Sequence, residues 1–247
     1  VQTGADAAVF VVGEPVLRSW AVGGVAQLRL MSVDAALAPR TLVAFDLPAG
    51  MSVTQATVTP LGPDLLLTYT DRAMPLAERP AMTEDDYDAP LCSSEAVTRI
   101  ERRDGRTGAL QQMRELRGYV VSAATAADRG VLLGGSRAAG CGQPARGVVV
   151  AVDAGLAMRA IYDDATLGVS EVRALRSLPG GRTLVAANKE NVLDYRPGAP
   201  RADVYAMTDL QRTYSGMLLT LARDGRASAP TMLDTGVNVF LSAGETD

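Results

Sequence analysis

The chain has 247 residues, 47% hydrophobic and 21% charged, with a formal net charge of −4 and no histidine. That size and composition describe a folded globular chain with room for one large all-β domain, and they exclude a disulfide-stapled mini-protein. The missing histidine excludes a Ser-His-Asp triad, a Cys-His pair, a histidine metal ligand and imidazole acid–base chemistry within this chain.

Short apolar segments separated by turn residues then follow one another. Residues 8–13 form the first. Residues 28–33 run into Asp34 and a partner strand at 41–46. Residues 53–59, the turn Pro60-Leu61-Gly62-Pro63 and residues 65–70 make a second kind of hairpin, followed by 97–103, Asp104-Gly105 and 109–116. The same order recurs in 119–125, 131–136, 148–152, Asp153-Ala154-Gly155 and 157–162. It recurs again in 170–178, Pro179-Gly180-Gly181, 183–188, 217–223, Asp224-Gly225 and 228–233, and residues 237–242 add one more strand. Asp followed at once or shortly by Gly marks a hairpin, because both tolerate the positive φ of primed turns.

Each unit therefore reads as four antiparallel strands, A to D, repeating at about 50 to 70 residues, the mark of a β-propeller with loop insertions. A sandwich would also supply short strands, but not the same order of turns. The expected fold is an all-β propeller of four-stranded antiparallel blades, with four blades in this chain. Residues 8–13 occupy a B position and 237–242 an A position, which leaves two readings of the ends. Either the last strand completes the first blade and closes the ring, covering two sheet edges, or residues 1–247 are a segment of a larger propeller. No charged segment followed by an apolar one precedes the first strand, so a removed signal or a longer parent chain is expected. One stretch conflicts locally with the scheme: residues 109–117, ALQQMRELR, are helix formers with Leu110, Met113 and Leu116 at intervals of three. Its place in the repeat assigns it to an outer strand.

Residues 177–188, SLPGGRTLVAAN, resemble the repeat of YVTN-type and lactonase-like propellers, in which a Pro-Asp-Gly-type turn leads into an apolar strand ending in Asn. Residues 217–226 and 148–156 are similar to the outer hairpins of those propellers and of quinoprotein-like ones. The quinoprotein resemblance implies a pyrroloquinoline stacked on a Trp, with calcium held by Glu, Asn and Asp; Trp20 is the one Trp, and no such constellation surrounds it. The lactonase resemblance implies acidic, Arg or His residues in a central funnel, and the absent histidine removes part of that set.

The two cysteines, Cys92 and Cys141, lie in insertions after consecutive B strands. BC loops emerge on one face of a propeller, so the pair can come within disulfide reach on neighbouring blades. A Cys92–Cys141 disulfide implies an extracytoplasmic setting: periplasm, cell surface or secreted. The other insertions after B strands, residues 14–24, 71–96, 137–146 and 189–215, belong to the same face. That face is where this architecture builds sites. It gathers the candidate binding residues Trp20, Asp85, Asp86, Tyr87, Asp88, Lys189 and Arg196. Glu84 to Asp88 supply oxygen ligands of the kind calcium takes, without the spacing of an EF-hand loop; the plainer reading is a solvated acidic loop. Trp20 reads equally as packing beneath its loop, and Lys189 with Arg196 as an exposed polar insertion.

Lys189 is the only Lys beside 23 Arg, a GC-rich, bacterial type of coding bias. The arginines are interspersed with acids, so no basic stripe tracks a nucleic acid. No apolar run reaches the roughly 18 residues of a membrane span. There is no phosphate-loop motif, no cysteine pair at zinc spacing and no identifiable catalytic nucleophile, and no resident cofactor is expected beyond calcium. Two functions remain. One is an extracytoplasmic interaction or scaffold module binding a protein or glycan partner, including a larger surface assembly, through its BC-loop face. The other is a metal-assisted lactonase or hydrolase using Asp, Glu and Arg at the central channel.

Overall fold

The computed structural model describes residues 8–15, 25–34, 36–46, 51–73, 96–137, 145–163, 166–192 and 212–233, which contain strands and no helix. The first sheet holds β1 (Ala8–Pro15), β2 (Val25–Val33) and β3 (Pro39–Asp46). The second holds β4 (Met51–Leu61), β5 (Asp64–Ala73), β6 (Val97–Asp104) and β7 (Leu110–Arg117). The third holds β8 (Tyr119–Ala127), β9 (Gly130–Arg137), β10 (Arg146–Val152) and β11 (Met158–Asp163). The fourth holds β12 (Val169–Leu178), β13 (Arg182–Val192), β14 (Arg212–Leu221) and β15 (Thr231–Leu233). Every sheet is antiparallel with its strands in sequence order. The sheets stack face to face, first on second, second on third and third on fourth. This is a β-propeller with four blades in the chain. The first blade shows its B, C and D strands; residues 237–242, which complete it in one of the two readings of the ends, lie outside the described residues.

The inner strands are apolar on both sides because each blade is sandwiched between two others. In β5, Leu65, Leu67 and Tyr69 pack with Val9, Leu28, Leu30, Val53 and Val58 towards the first blade. The alternate Leu66 packs with Ile100, Val121, Leu133 and Val150 towards the third. Burying each such side chain stabilises the stack by about 1.5–3 kcal/mol. Between the third and fourth blades Val149, Val172, Val185, Met217 and Leu219 close the core. The backbones approach closely there, since a Cβ on Gly134 would run into the Val172 side chain.

The four CD turns explain the recurring Asp, although not as primed two-residue turns. Asp34, Asp104, Asp153 and Asp224 each turn a carboxylate back on their own loop, accepting hydrogen bonds from the backbone N–H of Ala36 and Ala38, Arg106 and Thr107, Gly155 and Ala157, and Arg226. The positive φ falls at Leu37 (60°), Gly108 (73°), Leu156 (58°) and Gly225 (87°), so two of the four positions are filled by Leu at a steric cost. Gly105 is not among the positive-φ residues; a Cβ there would strike the Pro63 carbonyl.

Residues 110–117 are strand, paired along β6 from Arg103↔Leu110 to Val97↔Arg117. Their helical spacing maps to nothing buried: Leu110 and Met113 are 51% and 49% exposed, and only Leu116, at 9%, reaches the core. An unpaired C-strand edge in β6 outweighs intrinsic propensity. A further regularity was present in the sequence but unread. Val53-Thr54, Val121-Ser122 and Val169-Ser170 each sit at a register shift between the A and B strands of successive blades. In each, the Val is buried and the hydroxyl residue is the extra one of a β-bulge. The Ser122 hydroxyl donates to the Val172 carbonyl of the next blade at 2.7 Å, and that of Ser170 to Asn188 at 3.0 Å.

Candidate binding surfaces at the two ends of the blades

Strand register fixes which connections share an end. The pairs Pro15↔Val25, Asp71↔Val97, Arg137↔Arg146 and Val192↔Arg212 mark the BC end of the four blades. The A strands begin at that same end. Of the candidates, Lys189 is described: it pairs Val169 and Ser215, and its aliphatic stem runs over Gly168, whose φ of +72° and missing Cβ leave the space. Trp20, Asp85, Asp86, Tyr87, Asp88 and Arg196 lie outside the described residues, as do Cys92 and Cys141 and with them the disulfide.

Three polar atoms, one on each of three blades, are buried without a partner among the described residues: Gln55 Oε1 on β4, Arg137 Nε on β9 and Asn188 Oδ1 on β13. Asn188 is 3% exposed, and a buried acceptor left unpaired costs on the order of 1–3 kcal/mol. Arg137 also meets Asp163 at 2.7 Å, and Arg173 meets Glu171 at 2.9 Å on β12. Among the described residues no three His, Cys, Asp or Glu side chains gather as a metal would require, and no helix is long and apolar enough to cross a membrane. The acidic run at Glu84 to Asp88 falls outside both statements.

A buried polar cluster lies between the first and second blades. Glu101 accepts from the Tyr69 hydroxyl at 2.8 Å and from Arg103 Nε at 2.6 Å. Arg103 also donates to the Gly108 carbonyl at 2.8 Å and stacks on Phe45 at 4.8 Å. Burial first, then the Glu101 charge and hydrogen bond, hold the Tyr69 hydroxyl well above the usual tyrosine range. The side chains of Glu101 and Arg103 are 4% and 7% exposed, so this cluster is cohesion between blades and not a binding site.

The opposite end carries the AB and CD turns. There a cleft of about 230 Å³ opens between the third and fourth blades, floored by Leu132, Ala151 and Thr183 and rimmed by Arg129, Arg159, Arg182 and Arg223. Sequence reasoning placed no site there. Its only signal was an Arg at or beside each of four successive turns, from position 129 to 223.

No family model matches the chain, and no curated protein matches it. Similar solved structures include the parainfluenza virus 5 hemagglutinin-neuraminidase ectodomain, 8% identical with a TM-score of 0.38 over 69% of this chain and 42% of that one. A mutant of the Synechocystis apocarotenoid oxygenase is 11% identical with a TM-score of 0.42, over 87% of this chain and 50% of that one. The α-L-arabinofuranosidase from Lactobacillus brevis is 13% identical with a TM-score of 0.42, over 90% of this chain and 70% of that one. The chain thus spans half or less of the first two. On its own sheet order and packing the chain is a β-propeller, and no family within that fold is assigned to it.

Proposed function

We propose that the protein is an extracytoplasmic, non-catalytic binding module that presents the BC end of its blades to a protein or glycan partner. The observation that carries this is strand register, which brings the connections after all four B strands to one end of the blades, with Lys189 near the last of them. Variable connections displayed together on a rigid scaffold are where this architecture places binding residues. Trp20, Tyr87, Lys189 and Arg196 are proposed as contact residues, and Asp85, Asp86 and Asp88 as the acidic part of the surface, with calcium as their counter-ion if any metal is held. The extracytoplasmic setting rests on the proposed Cys92–Cys141 disulfide.

The test is a glycan array probed with the intact chain, followed by calorimetry on the best glycan with Lys189→Ala, Tyr87→Ala and the CD-turn variant Arg226→Ala. Loss of binding in the first two with retention in the third is expected. Glycan binding indifferent to Lys189 and Tyr87, or turnover of an ester or lactone that a chelator abolishes, would replace this reading, the second outcome with the metal-assisted hydrolase.

A further inference from the structure

The cleft at the turn end joins four loops that are far apart in sequence. Arg129 lies in the AB turn of the third blade and Arg159 just beyond its CD turn, in register with Ala151. Arg182 closes the AB turn of the fourth blade, opposite Leu178, and Arg223 lies in its CD turn. All four are exposed, and among the described residues no side chain of the four has an ion pair or a hydrogen bond. With Asp128 the lining carries a formal charge of +3, in a chain whose total is −4. The neighbouring carboxylates do not answer it. Asp153 and Asp224 are committed to backbone N–H groups of their own turns.

The junction one blade earlier shows what arginines do here when their task is cohesion. Arg102 donates to the Ala154 carbonyl and Arg114 to that of Leu156 at 3.0 Å, with Gln112 reaching Gly155 at 3.0 Å. These ties fasten the second blade to the CD turn of the third. Between the third and fourth blades other contacts hold the equivalent junction. The Ser177 hydroxyl donates to the Ala126 carbonyl at 2.6 Å, and Gly225 lies against the Ile161 carbonyl so closely that a Cβ would collide with it. The four guanidinium groups take no part in this junction among the described residues. Gly130 lies against the Val152 carbonyl so closely that a Cβ would strike it, and Gly181 supplies the positive φ (72°) of the AB turn beside the Arg223 stem.

We propose that this cleft binds a small ligand carrying clustered oxyanions, phosphoryl or carboxylate. Four exposed guanidinium forks around one concavity, without a partner among the described residues, form a set of bidentate donors, the geometry that oxyanions complete. The space of about 230 Å³ has room for a small molecule. This site lies at the opposite end of the blades from the BC surface and stands independently of it.

Isothermal titration calorimetry on the intact chain at low ionic strength, with inorganic pyrophosphate in one arm and citrate in the other, tests the proposal. Saturable one-to-one binding of at least one probe is expected, weaker at physiological ionic strength, and the stronger arm tells phosphoryl from carboxylate. Arg182→Gln and Arg223→Gln should each weaken it about tenfold, the loss of one charge-assisted hydrogen bond. Arg40→Gln, exposed on the first blade, should leave it unchanged. The ligand-free cleft variants should melt no lower than wild type, because the residues are exposed and mutually repelling. No saturable binding of either probe, or an equal loss in Arg40→Gln, overturns the proposal.

Discussion

Replacing Glu101 by Leu should destabilise the protein more than any exposed-charge substitution. Glu101 and Arg103 are 4% and 7% exposed, and the carboxylate is the shared acceptor of Tyr69 and Arg103. Without it Arg103 keeps the Gly108 carbonyl and the Phe45 ring but has no counter-charge, and the Tyr69 hydroxyl loses its acceptor. Stranding one member of a buried pair costs about 3–5 kcal/mol. At about 2–4 °C per kcal/mol for a chain of this size, the melting temperature should fall by about 6–20 °C. Thermal and urea unfolding followed by circular dichroism would measure it. The decisive comparison is the double variant Glu101→Leu/Arg103→Met, which replaces the pair by apolar groups and should recover most of the loss, since the penalty belongs to the abandoned charge and not to the missing attraction. Glu115→Gln, which breaks a pair whose carboxylate is 38% exposed, should cost no more than about 1 kcal/mol. A double variant as unstable as Glu101→Leu alone would refute the reasoning.

Leu37→Gly should stabilise the fold by about 0.5–1 kcal/mol, since Leu37 holds φ at 60° while its side chain is 80% exposed and packs on little; a lower midpoint in urea would count against it. Above the ordinary tyrosine range stability should fall. Tyr69 has its folded pKa raised, so the folded state holds a proton that the unfolded chain has released, and the stability present below about pH 10 is lost as pH rises further. Tyr69→Phe should flatten that alkaline limb, and an unchanged limb would show that another group controls it. Reduction should destabilise the protein by about 4 kcal/mol if Cys92 and Cys141 are bonded, as loop-closure entropy gives for their separation; two thiols labelled by alkylation without reductant would end that proposal.

The strands were legible because blade burial writes itself into sequence as apolar runs punctuated by fixed turns. Residues 65–67 and 148–150 are buried on both faces and read as continuous apolar runs. The CD aspartates were visible as a repeat, but their mechanism was not. Asp-Gly suggested a primed turn, whereas the carboxylate caps a longer loop and leaves the positive φ to Leu37 and Leu156, residue types that carry no turn signal. Residues 110–117 misled locally because helix propensity is blind to the unpaired edge of β6 that captures them. The Val-Ser/Thr bulges were readable as a repeat once the A strands were aligned. The arginine cleft was not, since each Arg beside a turn looks solvated until blade packing brings Arg129 and Arg223 around one concavity.

The two ends of the propeller are built by different rules, and the difference lies in what each end leaves unsatisfied. At the BC end two acceptors and a donor on strands, Gln55 Oε1, Asn188 Oδ1 and Arg137 Nε, are buried without a partner among the described residues, a cost that falls on folding. At the turn end each CD turn has its own aspartate accepting from its backbone. What remains there is exposed positive charge without a partner among the described residues. Because Ser177 and Gly225 already hold the third and fourth blades together, Arg129, Arg159, Arg182 and Arg223 can be exchanged without loosening the junction. Their mutual repulsion is then a standing cost that an anion removes and that the blade contacts alone do not account for.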